Sequence, residues 1–237
     1  MRRDPPPSPP TPNGETARLV TISIAPAVTD FTREAQHLLR DPSHFKWYTV
    51  TLLMLVAYVY SVEIERRRWD IVLAGAALWL VDWVNEVVNA LVLHFTHRAA
   101  IWTVTGDTSY LILIGLTIEI TFMFAIYGVV FVKMLPADPG ARILGAPNRL
   151  ALGFLFSCLS VFVEVLLHGT GYFHWEYWWW NWPFVPLIVI FGYFTFFLAA
   201  SYVYDLRDTR KQVRIVSGLA AFVAALILLF GVILEWI

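Results

Sequence analysis

Charge is scarce in this chain. Only 15% of its 237 residues are Asp, Glu, Lys or Arg, against about a quarter in an ordinary soluble domain. Its 17 basic and 18 acidic residues nearly cancel, to a formal net charge of −1. They form no basic tract, so no nucleic-acid partner is expected. Cysteine is scarcer still. Cys158 stands alone, which excludes an intrachain disulfide framework and any metal cluster built on thiolates. Short alternating apolar patches are also missing. The apolar residues, 58% of the chain, give a mean hydropathy of +0.63 and gather in long blocks. Each block is close to the roughly 20 residues that cross a hydrocarbon core.

The pattern predicts an all-α fold, a polytopic integral membrane bundle of about six transmembrane helices. The spans fall at 47–64, 71–95, 109–133, 149–168, 184–204 and 213–236. Residues 1–27 read as a disordered proline-rich tail, because no apolar core of signal-peptide type follows Arg2 and Arg3. Residues 28–45 read as an interfacial amphipathic helix, with Phe31, Ala35, Leu38 and Leu39 at helical spacing. Residues 46–237 form the transmembrane domain. Asp107 and Thr108 are expected to cap the third span.

Basic residues set an orientation. Arg66, Arg67, Arg68, Lys133, Arg142, Arg149, Arg207, Arg210, Lys211 and Arg214 all fall in links on one side. That side is expected to be cytoplasmic, in a multi-pass protein of a bacterial-type inner or plasma membrane. The tryptophan-rich run His174–Trp182 then lies on the opposite side. It reads as an interfacial aromatic belt, or alternatively as a lid over a pocket.

Ionisable groups inside spans are costly, about 2.5–3.5 kcal/mol even on lenient scales, so each needs a reason. On the second span Asp82, Glu86, Asn89 and His97 share one helical face, with Asn85 beside them. Glu119 on the third span is expected at the same depth as Glu86, and the two are expected to form a shared core. Glu164 and His168 are four apart on the fourth span. With His94, His97 and His174 they are candidate ligands of a divalent metal at the outer mouth. A carboxyl kept from water is instead suited to proton donation toward an alkene or carbonyl. A third reading gives these groups a purely interhelical hydrogen-bonding role.

Residues 164–187 carry Glu164, then Thr170-Gly171, Tyr177 and Val185-Pro186-Leu187. This spacing resembles the carotenoid hydratase family of small polytopic membrane enzymes. The resemblance implies acid-initiated addition of water to a polyene end, with carboxylates as acid and base. Asn85-Glu86 is similar to a feature of small membrane terpene cyclases, which also rely on buried carboxylates.

The expected function is therefore a membrane-embedded enzyme acting on an apolar lipid or isoprenoid. Glu86, Glu119, Asp82 and Glu164 are the catalytic candidates, with either no cofactor or a divalent metal. The alternatives are a metal-dependent oxidase or hydroxylase, a transporter, or a subunit of a larger membrane complex. A membrane-protein partner or a homo-oligomer is compatible with each.

Overall fold

The computed structural model of the chain describes residues 27–237. The proline-rich tail therefore lies outside the described residues, except for Ala27. A short helix α1 (Asp30–Leu38) precedes the bundle. Five helices are long and apolar enough to cross a membrane. They are α2 (Tyr48–Glu65), α3 (Trp69–Thr96), α5 (Asn148–Thr170), α6 (Val185–Asp205) and α7 (Thr209–Ile233). Between α3 and α5 runs α4 (Ile118–Met134), which has 17 residues. The family of helices follows the apolar blocks, and the polypeptide is an all-α membrane bundle.

The third span differs from its expected bounds. Helix is expected from 109, yet residues 111–117 form a hairpin of β2 (Leu111–Leu113) and β3 (Leu116–Thr117). Leu111, Leu113 and Leu116 are buried, so their hydropathy mimics a helix block. Gly115 lies at the turn, where a Cβ would come within 2.5 Å of Asn89 Nδ2 and the Trp102 ring. Thr117 caps α4 in place of Asp107 and Thr108, its hydroxyl accepting from the Ile120 N–H at 3.1 Å. A second hairpin, β4 (Arg142–Ile143) with β5 (Ala146–Pro147), precedes α5 in the same way on the basic side.

Helix α3 is the central element and packs on α4, α6, α7 and α2. It meets α4 at glycines. A Cβ on Gly128 would sit 2.5 Å from the Gly75 carbonyl oxygen, so only two glycines allow this approach. Around the crossing, Leu78, Val129, Phe131 and Phe197 are inaccessible to solvent. Helices α2 and α7 leave most of their surface free.

On the side opposite the basic links, β1 (Trp102–Val104) pairs antiparallel with β6 (Phe173–Trp175). Glu176 ties α1 to this small sheet. Its Oε1 accepts from the hydroxyls of Thr29, Thr32 and Thr103 at 3.0, 3.0 and 3.2 Å. Phe31 stacks on His174, ring centroids 3.7 Å apart. The basic groups of this stretch are engaged locally. Arg33 pairs with Asp30, Lys46 with Asp107, and Arg40 donates to the Ile112 carbonyl.

Candidate active site

Helix α3 runs 28 residues, about 42 Å at 1.5 Å per residue. Asp82 lies at its midpoint, roughly 20 Å from either end, and Glu86 one turn closer to the β1–β6 cap. Both side chains are buried, in residues 3% and 5% exposed. They line a cavity of about 410 Å³ together with Asn85, Glu164, Ser160 and Tyr193. The remaining wall is apolar, from Ile101, Ile120, Phe124, Leu167, Ile188 and Phe196 among others. Few polar groups converging in an otherwise apolar concavity of this size is the usual form of a small-molecule site.

The three carboxyl groups are held differently. Glu164 is anchored, accepting from the Tyr193 hydroxyl at 2.6 Å and from Trp175 Nε1 at 3.3 Å. Glu86 is half anchored. Trp102 Nε1 donates to its Oε1 at 3.0 Å, while Oε2 is buried with no partner. Asp82 Oδ2 is also buried without a partner. No Lys, Arg or His forms an ion pair with any of the three among the described residues. Asn89, expected on this face, serves the cap. Its amide receives the Ile101 and Trp102 N–H groups at 2.7 and 3.1 Å and donates to the Trp102 carbonyl at 2.9 Å.

Glu119 does not reach this cavity. Its depth is close to that of Glu86, because Thr121 of α4 accepts from Trp79 and Trp83 Nε1 of α3 at 2.9 and 3.0 Å, which sets Glu119 beside residues 83–86. It lies in the first turn of α4 but faces α2 and the loop before the hairpin, away from the cavity, so the expected shared core with Glu86 does not form. There it accepts from the Thr108 hydroxyl at 2.7 Å, from the Ser109 N–H at 2.6 Å and from the Tyr48 hydroxyl. A carboxylate at a helix N-terminus, filled by local donors, is a structural joint between α2, the hairpin and α4.

The expected metal ligands are likewise dispersed. Among the described residues, no group of three or more His, Cys, Asp or Glu is placed to hold a metal ion. His94 stacks on Trp236, centroids 4.4 Å apart. His97 closes α3 in the left-handed conformation at φ 52°, a position glycine more often fills. His168 stacks on Trp175 and its Nδ1 lies 3.1 Å from the Phe173 carbonyl. His174 Nε2 lies 3.0 Å from the Gly171 carbonyl and 2.9 Å from the Thr105 hydroxyl. Burial lowers the His174 pKa below its usual value, and the Gly171 carbonyl partly opposes this.

The tryptophan run divides between the two roles foreseen for it. Trp175 is buried and bonded to Glu164, and Trp180 lines the cavity, stacked near Trp102 with centroids 6.1 Å apart. Trp178 and Trp182 are exposed, as belt residues are. Tyr193 and Trp102 carry no signal in the sequence that marks them as site residues. Tyr193 belongs to a π-helical stretch, Ile188–Tyr193, that lines the cavity inside α6. Such turns recur at functional sites, but no local residue pattern announces one.

A model of a family described as an uncharacterized membrane protein family matches residues 29–232. A protein of Archaeoglobus fulgidus, described as an uncharacterized protein, is 46% identical over 209 residues, 88% of this chain and 99% of its own. A second, shorter one from the same organism is 44% identical over 55 residues, 23% of this chain and 98% of its own. No solved structure matches. These matches support an integral membrane protein and lend no support to the resemblance at 164–187. The relatives are archaeal, so the expectation of a bacterial-type membrane reduces to membrane insertion.

Proposed function

The chain belongs to this membrane protein family, and on that premise we propose that it is a membrane-embedded enzyme performing acid/base chemistry on an apolar lipid or isoprenoid. One observation carries the reading. Asp82 and Glu86 each bury a carboxyl oxygen without a hydrogen-bond partner, beside an apolar cavity inside the helix bundle. A carboxyl kept only for helix packing would be satisfied, as Glu164 is, because an unmet polar atom there costs several kcal/mol. The cost is explained if a substrate group or water completes the set during reaction.

The chemistry follows from the donor set. A carboxylic acid from the Asp82–Glu86 pair gives its proton to one carbon of a carbon–carbon double bond, leaving a cation on the other. Trp102, Phe124 and Tyr193 line the cavity, and an aromatic ring that turns its face to a cation stabilises it. Water then adds to the cation and returns one proton to the second carboxylate, so the pair is regenerated. Loss of a proton from a neighbouring carbon to a carboxylate of the pair instead gives an isomerised alkene, and attack of a second double bond of the same chain on the cation before that loss gives a ring. Glu164 and its Tyr193 partner position the cavity wall, and Glu119 has no part in the step.

The test compares lipid extracts of cells making the full chain with those making Glu86→Gln. Removing a general acid is expected to lower product formation by about 10²–10⁴-fold, with the folded protein retained in the membrane at the same level. Lipid profiles that do not differ between the two strains, whichever membrane lipids are supplied, would sink the enzymatic reading.

A further inference from the structure

The cavity has a side entrance. Helix α5 packs on α6 and on the β6 strand but scarcely on α3 or α4. On the basic half, rings fill the space between α4 and α5. The Tyr127 hydroxyl donates to the Phe156 carbonyl at 3.2 Å, and Phe131 meets Phe156 edge-on. On the other half no such filling exists, and the cavity occupies the gap. Its lining there includes Val88 of α3, Met123 of α4, Leu159 and Val163 of α5, and Phe191 of α6. All five are exposed, whereas Phe124, Ile188 and Phe196 of the inner wall are buried. An apolar side chain exposed on a spanning helix faces lipid tails, so these residues are the lips of an opening into the bilayer.

The end toward water is covered instead. Trp102, Phe173 and Trp180 close the cavity beneath the β1–β6 sheet, and α1 is strapped across that sheet by Glu176. From this geometry we infer that the ligand is a long apolar chain that enters sideways from the membrane, not from water. A cavity of about 410 Å³ is at the small end of drug-sized pockets, so it takes one part of such a chain while the rest stays among lipid.

Depth decides which part. Measured from the basic end, Asp82 of α3 and Glu164 of α5 lie roughly 20 and 24 Å along their helices, within a hydrocarbon core about 30 Å thick and several carbons from the head groups of either surface. The group that meets Asp82 and Glu86 is therefore at the tail end of the chain or in its middle. The two unpartnered oxygens call for a hydroxyl at that point, from water or from the chain itself. This inference deepens the enzymatic reading and rests on the same cavity, but its test does not need turnover.

The full chain is reconstituted in phosphatidylcholine vesicles holding a fatty acid with a photoactivatable diazirine, either at the last carbons or next to the carboxyl. After illumination, labelled residues are mapped by mass spectrometry. The tail-end probe is expected to label Phe124, Tyr193 and Phe196, and the head-end probe only the lips and the lipid-facing surface. Leu159→Trp and, from the other lip, Met123→Trp should each cut the tail-end labelling of Phe124 several-fold. Both substitutions add bulk on lipid-exposed positions, and either one suffices if the other does not insert. A tail-end fatty alcohol with its hydroxyl at the terminal carbon should outcompete the plain chain, whereas equal competition assigns the hydroxyl to water. Labelling of the cavity by neither lipid probe, or by a water-soluble diazirine alone, overturns lateral entry. Cavity labelling that persists in Glu86→Gln with lipid turnover absent from the wild type would sink the enzyme and leave the entrance standing.

Discussion

The two halves of the bundle treat buried charge in opposite ways. On the basic side every deeply placed ionic group has its counterpart. Arg149, 9% exposed, makes a two-pronged pair with Asp205 at 2.7 and 3.1 Å and donates to the Pro136 carbonyl. Glu63, 2% exposed, is paired with Lys133. Neighbouring Asn148 donates to the Asp138, Pro139 and Ala141 carbonyls and so fixes the loop that carries these groups. Toward the cap, Asp82 and Glu86 are as buried, yet have no cation and keep open oxygens. The same kind of residue serves architecture at one end and stays available at the other. That contrast argues for a site more strongly than the presence of carboxyls in spans, which both halves share.

Substitutions that remove one partner should break the contrast from the basic side first. Asp205→Ala leaves the Arg149 guanidinium without its counter-ion in a poorly hydrated place. The expected loss is about 2 kcal/mol, less than the full value for a buried pair because Asp205 is itself about a third exposed. Thermal unfolding in detergent, read as a lower Tm, checks it. Asp82→Leu should do the reverse. It removes an unsatisfied carboxyl oxygen and fills apolar space with a side chain of similar shape, so stability is expected to rise by about 1 kcal/mol. Its product formation is expected to vanish. A fall in Tm as large as that of Asp205→Ala would make Asp82 an architectural residue and erase the difference between the halves.

The smallest effect concerns the cap. His174 has a folded pKa held below its usual 6.5 by burial. Such a histidine binds fewer protons folded than unfolded. Its contribution to stability is therefore complete above pH 6.5 and declines as pH falls from there to the folded value. Protease nicking of the α1–β1 region in liposomes is expected to increase modestly over that window. His174→Phe, which keeps the stack on Phe31, should flatten the profile. A profile unaltered by the substitution would assign the change to another group.

Much of the membrane fold was legible in the chain. The apolar blocks placed five of the six long helices to within about four residues, because the length needed to cross lipid is fixed by bilayer thickness. The link at 63–70 and the proline-rich link after α4 ended helices where expected. The block at 109–133 misled because hydropathy cannot tell a buried hairpin from the first turns of a helix. At the site, depth alone did not bring Glu119 to Glu86: the two are nearly level, but Glu119 faces Tyr48 of α2 and not the cavity.

What the sequence determined by itself is therefore the class of molecule, its long helices, and the helix face that carries Asp82 and Glu86. Those depend on composition and on the 3.6-residue period, both local properties. Tertiary structure decided which polar groups meet. It drew Glu164 to Tyr193 and Trp175 from separate elements, gave Glu119 to a helix N-terminus, and scattered the histidines among stacking and capping roles. It also opened the cavity toward lipid between α5 and the α3–α4 pair. Contacts between residues far apart in the chain depend on how helices cross, and the crossing is set by small features such as Gly75 against Gly128, whose meaning appears only once the helices are side by side.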